Sequence, residues 1–340
     1  MLAVGLKLNV RESDFFIRKG CVMSISISWW SIGVIELFGG VDMDKRKILK
    51  RIETLYKTND KNIMRYLKDI SNQENNTIED IMISYDFQAG TYTKRYENDP
   101  AHFGKLVARL ADIINGLECK KDSIFECGIG EATVFVPLCN KLKSVPSFLG
   151  GADISWSRIK CAQNFVSTHL QRGTATLLVG DMFNLPLMDN SIDIVYTRQA
   201  VEPNGGHERE ILKELWRVTN EYLILIEPSY ENASEEAKQR MEYHGYVKNL
   251  YGTAKELGIN VLTWEPYGIS VNELNPLYIM IARKGLGKEC KNPLCCPITK
   301  TPIEKIGNAY FSKESLLAYP IVNDVPVLVD SSAIVASKMA

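Results

Sequence analysis

The chain has 340 residues, of which 45% are hydrophobic and 24% charged, with a formal net charge of −1. That length allows two domains, or one large core with appendages, and the charge balance gives no global field toward nucleic acid or anionic lipid. The eight cysteines are scattered. Most sit in apolar runs (Cys127, Cys139, Cys161), which suits buried thiols in a reducing, cytoplasmic compartment better than a disulfide framework.

Residues 1–42 read as an extension that fits poorly with the rest. Cys21 to Phe38 is fairly apolar and approaches the ~20 residues that a membrane span needs. Glu36 and the many serines weaken that reading, and no A-x-A-type cleavage site marks a signal peptide. A loosely packed extension, or translation begun upstream of Met43, is the plainer reading, so no integral span is expected. Residues 43–80 read as a helical lead. Ile48, Leu49, Ile52, Leu55 and Tyr56 recur at helical spacing with basic residues between them, a solvated face rather than a membrane-binding one. A second helix is expected over Asn62 to Asp69, and Ser71 to Thr77 is polar enough to be a loop.

From residue 81 to 284 the pattern alternates. An amphipathic stretch, His102 to Leu117, precedes an apolar strand, Ile124 to Cys127. Then come Gly128 and Gly130, which permit positive φ and close approach of a ligand to the main chain. Pro137 predicts a kink or a late start in the helix that follows. Further strands are expected at Phe148–Ala152, Ala175–Val179, Ile192–Tyr196 and Tyr222–Ile226. Helices separate them, one capped by Ser155 and one over His207 to Val218. Strands at Asn260–Trp264 and Leu277–Ala282 would close the sheet, with an antiparallel edge. This rhythm predicts an α/β fold: a Rossmann-like, doubly wound, mostly parallel seven-stranded sheet with right-handed crossovers. After Lys284 the texture changes, and 285–340, with its prolines and short β-rich runs, reads as a small β-rich module.

In such sheets ligands lie beyond the carboxyl ends of the strands. Three successive strands end here in an acid: Glu126, Asp153 and Asp181. Asp153 lies 25 residues after Gly128, near the ~20-residue offset at which an acid meets ribose hydroxyls. Asp181 could accept from an adenine amine. Any one of these acids alone is more simply a turn or cap residue; the ordered set points to a nucleoside-containing ligand.

The arrangement resembles the class I S-adenosylmethionine (SAM)-dependent methyltransferases over roughly residues 80 to 284. Glu126-x-Gly128-x-Gly130 matches the family's first motif, although Glu131 stands where a third glycine is common. The resemblance implies that Asp153, with Ile154 after it, holds the ribose and that Gly180-Asp181-Met182 holds adenine. Asp193 to Thr197 matches the fourth motif, and Tyr85-Asp-x-x-Ala89-x-x-Tyr92 looks like a segment that closes over the cofactor. SAM is therefore the expected cofactor, bound by Tyr85, Tyr92, Glu126, Gly128, Gly130, Asp153, Ile154, Asp181, Met182 and Thr197. A nicotinamide Rossmann enzyme is the rival, but Thr133 replaces the third glycine of its fingerprint.

Methyl transfer needs alignment and water exclusion, and a hydroxyl acceptor also needs a base. His207 and Glu202, after the fourth strand, are the catalytic candidates. Arg198, Gln199, Glu227 and Tyr230 are candidates for holding the acceptor. This set suits a small polar acceptor, such as a sugar or nucleotide-sugar methylated on O or N. An RNA or protein methyltransferase and a non-catalytic SAM-binding regulator are the alternatives. No basic aromatic patch supports nucleic acid as a partner, and the sequence sets no oligomeric state. The tail resembles the small methyltransferase activators with a zinc-ribbon-like start, on Cys296-Pro297, Pro302, Ala318-Tyr319-Pro320-Ile321, Asp324 and Pro326-Val327-Leu328. Thr299 occupies their second cysteine position. Cys290, Cys295 and Cys296 do not complete a four-ligand zinc site, so no metal is expected and the tail would buttress the fold in cis.

Overall fold

The computed structural model describes residues 45–58, 62–71, 73, 75–269 and 272–339. The expected extension 1–42 lies outside them. All described residues belong to one compact unit spanning 44–340.

Five helices lead the chain: α1 (Lys45–Thr58), α2 (Ile63–Ser71), α3 (Ile78–Phe87), α4 (Thr91–Asn98) and α5 (Pro100–Gly116). α1 buries Ile48, Ile52 and Leu55, the stripe expected from its spacing. α3 opens with a reciprocal capping box between Thr77 and Asp80, satisfying two end groups of the helix at once. α5 starts at Pro100 behind an Asp99 cap, a position where proline's missing N–H costs nothing.

The central sheet has seven strands: β1 (Ser123–Cys127), β2 (Phe148–Asp153), β3 (Ala175–Val179), β4 (Ile192–Arg198), β5 (Thr219–Pro228), β6 (Val261–Pro266) and β7 (Leu277–Arg283). Their order is β3-β2-β1-β4-β5-β7-β6. The first five run parallel. β7 is antiparallel to both β5 and β6, so the reversed strand lies one in from the edge. β1, β4 and β5 are buried almost throughout, as expected of strands covered on both faces. Helices α6 (Phe135–Lys141), α7 (Trp156–His169), α8 (Glu208–Val218), α9 (Glu235–His244) and α10 (Leu250–Glu256) complete the layers. α6 starts late, and Pro137 sits in its first turn, where its lack of an N–H breaks no helical hydrogen bond.

The tail forms a second sheet of five strands: β8 (Glu304–Ile306), β9 (Ala309–Ser312), β10 (Leu317–Val322), β11 (Val325–Pro326) and β12 (Ile334–Val335). It is joined to the open β3 edge. Val327 bridges Val179 in parallel fashion, and the Leu328 N–H donates to the Val179 carbonyl at 2.9 Å. Val325 enters one hydrophobic core, while Cys296, Tyr319 and Leu328 enter the other. An exposed sheet edge is thereby covered from within the chain.

Candidate functional site

At the carboxyl end of β1 the chain turns through Gly128 (φ +75°) and Gly130 (φ +55°). A Cβ on Gly128 would lie 2.3 Å from the Ala200 Cβ, so the turn also needs glycine for room. The amides of this loop are largely taken. Gly128 and Ile129 donate to the Ala152 carbonyl at 2.8 and 3.0 Å, and Gly130 donates to Asp153 Oδ2 at 3.0 Å. Asp153 also accepts from the Ser155 N–H at 2.9 Å. The loop is therefore preshaped by β2, and the Asp153 carboxylate is aimed by it. Burial raises the Asp153 carboxyl above its ordinary range, against the pull of Arg158. Asp181 is raised by burial as well.

Glu131 has a defined task. Its Oε1 accepts the N–H groups of Gly90 and Tyr92 at 3.0 and 3.3 Å. Its Oε2 accepts the Thr93 N–H at 2.7 Å and the Thr93 hydroxyl at 2.5 Å. Gly90, the α4 cap, has no side chain with which to close the helix; Glu131 supplies the anion that a helix start favours. Asp86 likewise binds the start of α7, through Ser155 Oγ at 2.7 Å and the Ser157 N–H at 3.0 Å. The Tyr85–Tyr92 segment, spanning the end of α3 and the start of α4, is thus tied down at both ends.

Two cavities meet behind it. A smaller one, about 180 Å³, is lined by Glu126, Gly128, Gly130, Asp153, Ile154, Asp181 and Met182 among others. A larger one of about 680 Å³ lies under α2, α5 and α9. Tyr85, Tyr92, Val134, Arg198, Gln199 and Glu202 line both. Of the residues expected to hold a cofactor, only Thr197 is absent from these walls. It is fully buried and donates its hydroxyl to Glu227 Oε1 at 2.7 Å. Glu126, on the wall of the smaller cavity, is nonetheless buried: the Tyr196 hydroxyl donates to it at 2.8 Å, and burial pushes its carboxyl up to about 8.

The acceptor-side residues divide. Arg198, Gln199 and Glu202 face the junction of the cavities. Gln199 holds a left-handed backbone, φ +53°, a strain of the kind stored at functional sites. Glu202 is only 7% exposed. Burial raises its carboxyl to about 7, opposed by the amide of Asn275, which donates to it at 3.2 Å. Glu227 departs from its expected role. It lines neither cavity, and instead accepts the N–H groups of Ala200 and Glu202 at 3.1 and 3.2 Å, organising the loop after β4. Tyr230 also lies elsewhere, bonded to Glu242 at 2.7 Å and beneath the Lys248 ammonium.

His207 is the main correction. It lines neither cavity. It is exposed at the start of α8, with its ring edge against Phe183 at 5.5 Å, and makes no side-chain cap bond. The turn at Pro203–Gly206, which precedes His207, is held in place. Gly205 donates to the Gly245 carbonyl at 3.0 Å, and Asn76 donates to the Pro203 carbonyl at 2.8 Å. A Cβ on Gly205 would meet the carbonyls of Gly245 and Tyr246 at 2.7 Å. Packing against residues 245–246 turns the chain so that His207 leaves the site.

Sequence reasoning missed Arg158. It is 7% exposed, sits 4.4 Å from the Tyr85 ring and 5.0 Å from the Tyr92 ring, and lines the smaller cavity. Its Nη2 is buried without a protein hydrogen-bond partner. Its place in the first turn of the helix after Asp153 is a signal that could have found it. Arg240, Tyr246 and Asn275 were missed too, because no local pattern places α9 and the β6–β7 connection over the larger cavity.

Among the described residues no group of three or more His, Cys, Asp or Glu side chains could hold a metal. Cys295 and Cys296 are buried. Burial works to raise the Cys296 thiol, but hydrogen bonds from Thr299, Tyr319 and Ser315 bring it down to about 6. No described helix is long and apolar enough to cross a membrane.

Residues 125–225 match the methyltransferase-domain family. The matched segment runs from β1 to β5 and contains both glycines, Asp153, Asp181 and four of the six junction residues, Val134, Arg198, Gln199 and Glu202; Tyr85 and Tyr92 precede it. The chain is also similar to solved structures of this type. One is magnesium protoporphyrin IX methyltransferase from Synechocystis PCC 6803 with bound SAH, at 14% identity, covering 60% of this chain and 99% of that one, with a TM-score of 0.45. A SAM-dependent methyltransferase from Methanosarcina mazei is 18% identical over 52% of this chain and 97% of its own, with a TM-score of 0.41. A chain from the complex between the Haloferax volcanii Trm112 methyltransferase activator and a methyltransferase is 14% identical, covering 59% and 96%, with a TM-score of 0.45.

Proposed function

We propose that this protein is a SAM-dependent methyltransferase acting on an O or N atom of a small polar acceptor, with a sugar or nucleotide-linked sugar as first choice. The smaller cavity fits the cofactor chemically. Asp153 and Asp181 offer accepting oxygens for ribose hydroxyls and an adenine amine, Ile154 and Met182 offer apolar walls, and the unpartnered Arg158 Nη2 suits a carboxylate. When bound, the cofactor supplies an electrophilic methyl group on a sulfonium.

The observation that carries the reading is the position of Glu202. It is a buried carboxylate on the wall shared by both cavities, raised to about 7. A base near the working pH combines a useful ionised fraction with a real affinity for the proton. Glu202 takes the proton of the acceptor's hydroxyl or amine, Gln199 and Arg198 orient the acceptor, and the Tyr85–Tyr92 segment excludes water. Glu227 acts through Glu202, by fixing the loop that carries it. Calorimetry with SAM tests the cofactor half of the reading. Asp153→Ala should weaken SAM by roughly 1.5–3 kcal/mol, the size of lost charged hydrogen bonds; unchanged affinity would remove Asp153 from the ribose site.

A further inference from the structure

The larger cavity carries more positive charge than the methyltransferase reading uses, which draws only on Arg198. Arg65, Lys68, Arg95, Arg198 and Arg240 line it, against the carboxylates of Asp99 and Glu202. Two of these charges are already committed. Arg65 pairs with Asp69 at 2.9 Å, and Asp99 caps α5 through the His102 N–H at 3.0 Å. Arg198 and Arg240 are different. Arg198 Nε and Nη2 and Arg240 Nη1 are shut off from solvent, with no hydrogen-bond partner in the protein. Each guanidinium has a carboxyl in its field, Glu126 for Arg198 and Glu202 for Arg240, and Arg240 also bonds the Tyr246 hydroxyl, but these buried N–H groups have no acceptor, and such groups ordinarily find one. The two arginines come from distant parts of the chain, the end of β4 and helix α9, yet converge on one chamber.

A guanidinium fork matches the paired oxygens of a carboxylate or phosphate better than any neutral group. We infer that the acceptor carries an anionic group, a phosphate or a carboxylate, received by Arg198 and Arg240 in the larger cavity. This rests on the methyltransferase reading for the word acceptor, but the anion site itself does not need it. Arg198 also lines the smaller cavity and so serves the cofactor side as well. Arg240 lines only the larger one and is the residue that separates the two roles.

The test is calorimetry on the full chain loaded with S-adenosylhomocysteine, titrated with glucose 6-phosphate, glucuronate and glucose. At least one anionic probe should bind ten-fold or more tightly than glucose. The phosphate and carboxylate arms then identify which anion the site takes. Arg240→Gln should abolish the preference and Arg240→Lys should restore part of it, both with unchanged S-adenosylhomocysteine affinity and an unchanged melt. Equal binding of all three probes, or a preference that survives in both Arg240→Gln and Arg198→Gln, overturns the inference. If S-adenosylhomocysteine itself does not bind, the cofactor reading fails instead, and the same titration of the unliganded chain still decides the anion site.

Discussion

Glu131 holds Thr93 twice, through the main-chain N–H at 2.7 Å and the hydroxyl at 2.5 Å. The contact ties the glycine turn after β1 to the first turn of α4, and so fixes the wall that carries Tyr92. An acid at this position therefore substitutes a tether for the backbone freedom of a third glycine. Glu131→Ala strands three N–H groups, those of Gly90, Tyr92 and Thr93. The expected outcome is a loss of about 2–3 kcal/mol in stability, together with weaker SAM binding. A thermal melt and a SAM titration on the variant check both. A normal melt with normal SAM affinity would mean that the tether is ornamental.

Glu202 predicts a pH profile. Its carboxyl is raised to about 7, and the base is active when ionised. Turnover should therefore rise with pH through an inflection near 7 and level off above it. Glu202→Gln should lower kcat by ~10²–10⁴ and abolish that limb, the usual size of a lost general base. His207→Ala, by contrast, should leave kcat nearly intact, because its ring lies against Phe183 outside both cavities. Steady-state kinetics over pH 5–9 on these two variants separate the roles; a large kcat loss in His207→Ala would restore the histidine.

Stability should fall as pH rises through the same range. Glu126, Glu202 and Glu227 are buried and raised, to about 8, 7 and 7 from an ordinary 4.5. The folded state then holds more protons than the unfolded one between pH 4.5 and 8, so its advantage is full below pH 4.5 and is lost across that window. Glu126→Gln never ionises and should flatten the dependence by about 1–3 kcal/mol between pH 5 and 8. Denaturant midpoints at several pH values check this, and an unchanged slope in the variant would show that Glu126 does not contribute to it.

The tail should matter for the cofactor site as well as for the fold. It clamps the segment after β3. Asn184 donates to Asp330 at 3.0 Å, Lys300 donates to the Leu185 carbonyl at 3.0 Å, and Cys295 donates to the Pro186 carbonyl at 2.9 Å. Asp181 and Met182 lie just ahead of this clamp. A chain ending at Lys284 should expose apolar surface, lose solubility and bind SAM poorly, whereas chelation of the full chain should leave its melt unchanged. A soluble truncated chain with full SAM affinity would refute the buttress, and a chelator-sensitive melt would refute a metal-free tail.

The strands and the cavity floor were legible because local chemistry sets them. Apolar runs such as Phe148–Ala152 and Ala175–Val179 read as buried strands, and the acid that follows each, Asp153 and Asp181, falls at the ligand end. The chamber wall was not legible. Arg240 on α9 and Lys68 on α2 reach it through tertiary packing, which leaves no spacing signal. His207 misled because Pro203–Gly206 has turn composition; the structure shows Gly205 wedged against Gly245, a constraint from 40 residues away. Glu227 was legible as a strand-end acid but not as a support, since its partners Thr197, Ala200 and Glu202 are fixed only once β4 and β5 pair.

The most direct measurement is transfer of isotopically labelled methyl from SAM into a small-molecule extract, by wild type and by Glu202→Gln at saturating SAM. The account predicts label in a low-molecular-weight product retained by an anion exchanger, with the rate reduced at least a hundred-fold in Glu202→Gln. Binding of SAM without transfer to any acceptor, or equal transfer by the variant, would contradict it.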